Sequence, residues 1–114
     1  GDPGIVVEVA GPAGELAATT SNALLFTMFR DHSDVVRAAA ARALSHSEAD
    51  GVAPALVQVL KADPSARVRA QAAAALGNMG DLDAQDALLA ARNDPDSTVR
   101  DNASLALANL NERF

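Results

Sequence analysis

Residues 63–76 read DPSARVRAQAAAAL, and two other segments repeat their pattern. Residues 31–44 read DHSDVVRAAAARAL and residues 94–107 read DPDSTVRDNASLAL, so the copies begin 32 and then 31 residues apart. In each copy an Asp lies six residues before an Arg, a Val precedes that Arg, and Ala-Leu closes the segment. Self-similarity at this period is typical of solenoids of stacked helical hairpins. The sequence therefore predicts an all-α, right-handed α-solenoid of about six helices.

The composition narrows the classes of function. The chain has 114 residues and a net charge of -6, which disfavours binding to nucleic acid or to an anionic membrane surface. It has no cysteine, so disulfides and thiolate metal sites are excluded. No apolar run approaches the roughly 18 residues of a membrane span, and we expect no signal peptide. We therefore expect a cytoplasmic protein with no nucleic-acid or membrane partner.

Local signals place the helices and their ends. Ser33 (or Asp34), Ser65 and Ser97 are suited to N-capping, and Gly77 or Gly80 to a left-handed C-terminal cap. The predicted helices cover approximately residues 13–30, 34–44, 51–62, 66–78, 81–92 and 98–110.

Residues 1–12 do not fit the repeat, and we separate them from a repeat domain at residues 13–114. Residues 5–9, Ile5 to Val9, have the β-branched character of a short strand. A lone strand is unstable in water, so we expect these residues to form an arm packed on the solenoid end, or to be a partly non-native segment.

The Asp and Arg of each copy are expected to form a structural ladder. Each Asp can accept hydrogen bonds from the backbone or from Arg, and we place each Arg over the Asp of the preceding repeat. Binding sites rarely recur in every unit, so the strict repetition favours a structural role over ligand binding. The ladder residues are Asp31, Arg37, Asp63, Arg69, Asp94 and Arg100.

The middle copy, DPSARVRAQAAAALGNMGDLDAQDALLAA at residues 63–91, resembles HEAT repeats of the short type found in phycobilisome lyases. That pattern reads D-P-x-x-x-V-R-x-x-A-x-x-A-L-G, followed by a loop and a second helix. The first copy departs from it at His32 and Ser45, and the last at Ala108. The resemblance covers about residues 15–110 and implies the solenoid fold and the ladder. It implies little about activity, because one fold serves many functions.

A HEAT-like solenoid favours a non-catalytic protein–protein interaction or scaffold module. We expect the second helices of the hairpins to line a concave face that binds a peptide or helix of another protein. Phe26 and Phe29 match the polar Gln58 and Lys61 in the 32-residue register, so they either anchor a partner or are covered by residues 5–9 or by a repeat upstream of this sequence. The candidate partner-binding residues are Asn22, Phe26, Phe29, Pro54, Gln58, Lys61, Gln85, Asp86 and Asn93.

Catalytic and metal-binding patterns are missing from the sequence. There is no His-Glu or His-x-x-x-His pair, no phosphate-binding loop and no serine-hydrolase motif, so we expect no enzymatic activity, no metal and no cofactor. The acidic residues Asp81, Asp83 and Asp86 lack the Gly and the further ligands of an EF-hand and suit a helix N-terminus.

Two alternatives remain open. The resemblance also allows a subunit that acts on a bilin or similar chromophore. The third interpretation is a terminal piece of a longer HEAT scaffold, which would self-associate through Ile5 to Val9 and through Phe26 and Phe29.

Overall fold

Five α-helices make up most of the part of the chain that the structure, a computed structural model, describes: residues 30–47 and 51–113. A short 3₁₀ turn, Leu82–Ala84, precedes the fourth helix. The α-helices are α1 Asp34–Leu44, α2 Val52–Ala62, α3 Ala66–Met79, α4 Gln85–Ala91 and α5 Ser97–Arg113. The predicted helix at 13–30 and the predicted strand at Ile5 to Val9 lie outside the described residues, apart from Arg30.

The helices form two layers, as expected for stacked hairpins. The Arg-bearing helices α1, α3 and α5 pack side by side, with α3 between its two neighbours. The second helices α2 and α4 contact each other, and they pack on α3 and α5 respectively. The all-α solenoid predicted from the repeats is therefore confirmed.

A core made mainly of Ala and Leu side chains joins the layers. Leu44, Leu76 and Leu107, which close the three copies, are all buried in this core. Each buried leucine contributes about 1.5–3 kcal/mol relative to an exposed one. Because the intervening positions are alanines, the helices approach closely and the core stays thin.

The closest approach lies between α3 and α5. Gly77 is buried in the last turns of α3, where an added Cβ would lie 2.7 Å from the Cβ and 2.8 Å from the Cα of Ala106. Only a hydrogen atom fits at this point, so Gly77 is a packing residue. The left-handed C-terminal cap is Gly80, with φ of 68°.

Of the three serines predicted as N-caps, Ser33 alone makes the expected hydrogen bond. Ser33 caps α1 and accepts a hydrogen bond from the Val36 backbone N–H. Ser65 occupies the N-cap position of α3 but makes no side-chain capping hydrogen bond. The prediction for Ser97 is wrong: it lies inside α5, and the carboxylate of Asp96 accepts the Val99 N–H at 3.1 Å instead.

Candidate functional site

Arg37 links the turn that opens α1 to the turn that opens α3. Its Nε and Nη2 atoms donate to the two carboxylate oxygens of Asp63 at 2.9 and 3.1 Å. Its Nη1 atom donates to the backbone carbonyls of Asp31 and His32. The paired side chains are only 13% and 8% exposed, so water screens this two-pronged contact much less than an ordinary surface ion pair.

Arg69 repeats this arrangement one hairpin later. Its Nε and Nη2 atoms donate to the carboxylate of Asp94 at 2.9 and 3.1 Å, and Nη1 donates to the carbonyl of Asp63 at 2.8 Å. Each Arg therefore pairs with the Asp of the following repeat. The expectation that it lies over the Asp of the preceding repeat is wrong, because the guanidinium is anchored on its own turn and extends toward the next.

Each Asp of the ladder also orders its own turn. Asp31 accepts the Ser33 N–H at 2.8 Å and Asp63 accepts the Ser65 N–H at 2.9 Å. Asp94 accepts the Asp96 N–H, also at 2.9 Å. Asp63 and Asp94 thus have two functions. Each closes the turn at the start of its own hairpin and also accepts hydrogen bonds from the Arg of the preceding hairpin.

The two ends of the ladder are open within the described residues. Arg100 donates through Nη1 to the carbonyls of Asp94 and Pro95, as its counterparts do, but no described carboxylate faces its Nε–Nη2 edge. At the other end, no described Arg side chain pairs with the Asp31 carboxylate. The groups that pair internally therefore have no described ion-pair partner at the two ends, where Asp31 is exposed and Arg100 is partly buried.

Pairing between Arg69 and Asp94 shifts the pKa values of both groups. Hydrogen bonds from Arg69 hold the pKa of Asp94 below its ordinary 3.8, against the opposing effect of burial. The same contact raises the pKa of Arg69. The pair therefore remains charged across the neutral range, as a structural contact requires.

A second contact between repeats explains why Ser65 does not cap α3. Its hydroxyl donates to the Asp34 carboxylate at 2.9 Å, which lowers the pKa of Asp34. Arg67 adds a loose ion pair to Asp34 at 3.9 Å. The start of α3 is thus tied to the start of α1 by side chains 31 residues apart.

A cleft of about 520 Å³ opens between α2 and the turn that follows α3. Pro54, Val57 and Met79 supply apolar surface, and Asp81 and Asp83 are the charged residues of its described lining. The Asp81 carboxylate accepts the Asp83 backbone N–H at 2.9 Å. The side chain of Asp83 is exposed, so its carboxylate is accessible to solvent or to a ligand. The cleft therefore combines an apolar floor with a negative edge.

The structure brings together only part of the predicted partner-binding set. Pro54 and Gln58 line the cleft. Four others, Lys61, Gln85, Asp86 and Asn93, are exposed but lie outside its lining. Asn22, Phe26 and Phe29 fall outside the described residues.

Sequence reasoning missed Val57, Met79, Asp81 and Asp83 as cleft residues. Periodicity identifies the outward face of α2, but not which part of the next hairpin lies opposite. Gly80 was a usable signal, because a left-handed cap turns the chain sharply and directs the acidic residues after it toward α2.

Comparison with known proteins agrees with the fold. The family model for HEAT repeats matches residues 53–113, and the model for the PBS lyase HEAT-like repeat matches residues 36–62. The chain belongs to the HEAT-repeat family. None of the curated proteins compared with it gives a match. In the described part of the chain, no helix has the length and apolar character needed to cross a membrane.

Proposed function

We propose that this HEAT-repeat chain is a non-catalytic interaction module that holds a segment of a partner protein in the cleft between α2 and the 81–84 turn. The observation that carries the proposal is the lining of the cleft, where Pro54, Val57 and Met79 adjoin Asp81 and Asp83. A volume near 520 Å³ accommodates a few side chains rather than a folded domain.

The charge of the cleft defines the chemistry of the partner. An apolar side chain on the floor and a neighbouring Lys or Arg at the Asp83 edge would complement both parts of the lining. The chain as a whole carries a net charge of -6, which also attracts a basic segment. The expected partner is therefore a short basic and apolar peptide or helix.

Selection from a library of random peptides displayed on phage tests the proposal. We expect enriched sequences that combine an apolar residue with Lys or Arg and that bind more weakly as salt is added. Val57→Glu, which places a charge on the apolar floor, should abolish binding, and Asp83→Asn should weaken it.

Leu89→Glu is the matched control, because Leu89 is an exposed side chain on α4 outside the cleft. Circular dichroism would establish that each variant keeps its helices. Binding that survives Val57→Glu but is lost in Leu89→Glu would contradict this site, as would a selection that yields no binding peptide.

A further inference from the structure

The two ends of the Asp–Arg ladder, which are open within the described part of the chain, are complementary to one another. We infer that the Arg100 end of one molecule binds the Asp31 end of a second copy, so that the chain associates head to tail. This inference concerns a different surface from the cleft and does not depend on it.

The pairs Arg37–Asp63 and Arg69–Asp94 show which group can bind the Nε–Nη2 edge of Arg100. In both, Nη1 of an Arg donates to backbone carbonyl oxygen of its own turn, on two residues for Arg37 and on one for Arg69, and Nε and Nη2 donate to an aspartate. Arg100 is held by Nη1 in the same way, on the carbonyls of Asp94 and Pro95. Its orientation is therefore set for a carboxylate in a turn of the same kind.

Asp31 supplies that carboxylate in that kind of turn. Its Oδ1 atom accepts the Ser33 N–H at 2.8 Å, as Asp63 accepts Ser65 and Asp94 accepts Asp96. Asp31 is exposed. A second copy is the occupant that the chain itself provides.

The helix faces beside these residues carry apolar side chains that are compatible with the stacking of a second copy. On α1, the exposed Ala39 and Ala43 occupy the repeat positions of Asn102 and Ala106, with which α5 contacts α3. On α5, Leu105 is 65% exposed and would be covered by these alanines.

Ala108 sets a limit on the strength of this contact. It stands in α5 at the repeat position of Gly77, where a hydrogen atom permits the close approach of two helices. Its methyl group would keep the second copy farther away than α5 lies from α3. We therefore expect the association to be weaker than the stacking within the chain.

Sedimentation velocity over a range of protein concentrations tests this inference. A head-to-tail contact does not close on itself, so the wild type should form dimers and longer chains as its concentration rises. Arg100→Gln and Asp31→Asn should each weaken association about ten- to hundredfold, as expected for losing hydrogen bonds to a charged group. The amide oxygen introduced by Asp31→Asn can still accept the Ser33 N–H, so this variant should keep its turn and its fold.

An equal mixture of the two variants gives the decisive measurement. Arg100→Gln retains Asp31, and Asp31→Asn retains Arg100, so one intact contact can form and the mixture should stop at the dimer. Arg92→Gln, an exposed Arg at the end of α4, is the control and should associate like the wild type. A wild type that stays monomeric at high concentration would overturn the inference, and so would single variants that associate as strongly as the wild type.

Discussion

Arg69 joins three segments of the chain through one guanidinium group. It lies on α3 and donates to the backbone carbonyl of Asp63 in its own turn. It also donates two hydrogen bonds to the carboxylate of Asp94, in the turn before α5. Its side chain is 16% exposed, so the hydrogen bonds form mostly out of water. The residue therefore fixes the spacing of two hairpins as well as adding a favourable charge interaction.

Replacement of Arg69 by Ala should destabilise the fold by about 1–3 kcal/mol, because hydrogen bonds to a charged group are lost and Asp94 loses its principal partner. Denaturant unfolding measures this change. Arg92→Ala removes an exposed Arg and should change stability by less than about 0.5 kcal/mol. Equal stabilities for the two variants would contradict the structural ladder, and peptide binding in the cleft should be unchanged in both.

Acidic pH should weaken the same contact. The pKa of Asp94 in the folded chain lies below its ordinary 3.8, so its contribution to stability is complete above that pH. The contribution is lost as the pH falls through the folded-state pKa, because the unfolded chain takes up the proton first. The stability deficit of Asp94→Asn relative to the wild type should therefore be largest at neutral pH and shrink below about pH 4.

Unfolding of both proteins over this range of pH provides the measurement. Asp101→Asn, on the exposed surface of α5, is the control and should track the wild type. A deficit for Asp94→Asn that stays constant down to the lowest pH would show that the charge of Asp94 does not stabilise the fold.

At the scale of the element, the contact of α3 with α5 depends on Gly77. Alanine would favour the helix by about 1 kcal/mol, since glycine is a poor helix former. The added methyl group would however lie 2.7 Å from the Cβ of Ala106, so the two helices must separate and lose contacts. Overpacking of this kind typically costs about 1–3 kcal/mol, and we expect it to outweigh the gain.

Thermal unfolding of Gly77→Ala should therefore show a lower midpoint than the wild type. Ser104→Ala, at an exposed position of α5, reports the effect of alanine on a helix without a packing change and should be neutral or slightly stabilising. A midpoint for Gly77→Ala above that of the wild type would mean that α5 does not approach α3 as closely as described.

The helix ends show why sequence predicted some elements better than others. The Ser33 hydroxyl caps α1 by accepting a hydrogen bond from the backbone N–H of Val36, three residues later. Such a local contact can be predicted from the spacing of residues along the chain. The partner of Ser65 is Asp34, which comes from another repeat and depends on how the hairpins stack. From the sequence, Gly77 and Gly80 suit the C-cap of α3 equally well. The structure shows that Gly80 is the cap and that Gly77 packs against α5.

At the scale of the whole molecule, repetition is what made the fold predictable. Three copies in one register specify which helices are equivalent, and equivalent leucines then enter one core. The residues that line the cleft were harder to predict from the repeats. Pro54 and Gln58 follow from the outward face of α2, whereas Met79 and Asp81 belong to the site only because the end of α3 lies opposite. The predicted direction of the ladder was wrong for a related reason. Spacing along the chain does not reveal whether an Arg side chain extends toward the preceding or the following repeat.

The shared aspartates constrain how a gene for such a protein can lengthen or shorten. Asp63 closes its own turn and also receives Arg37, so one inserted or deleted codon between residues 63 and 69 would misplace both contacts at once. The repeats differ in length by one residue, yet the interval from Asp to Arg is six in every copy. Small changes of length are thus accommodated in the other connections, and duplication of a complete hairpin is the route of growth that leaves every inner aspartate correctly placed.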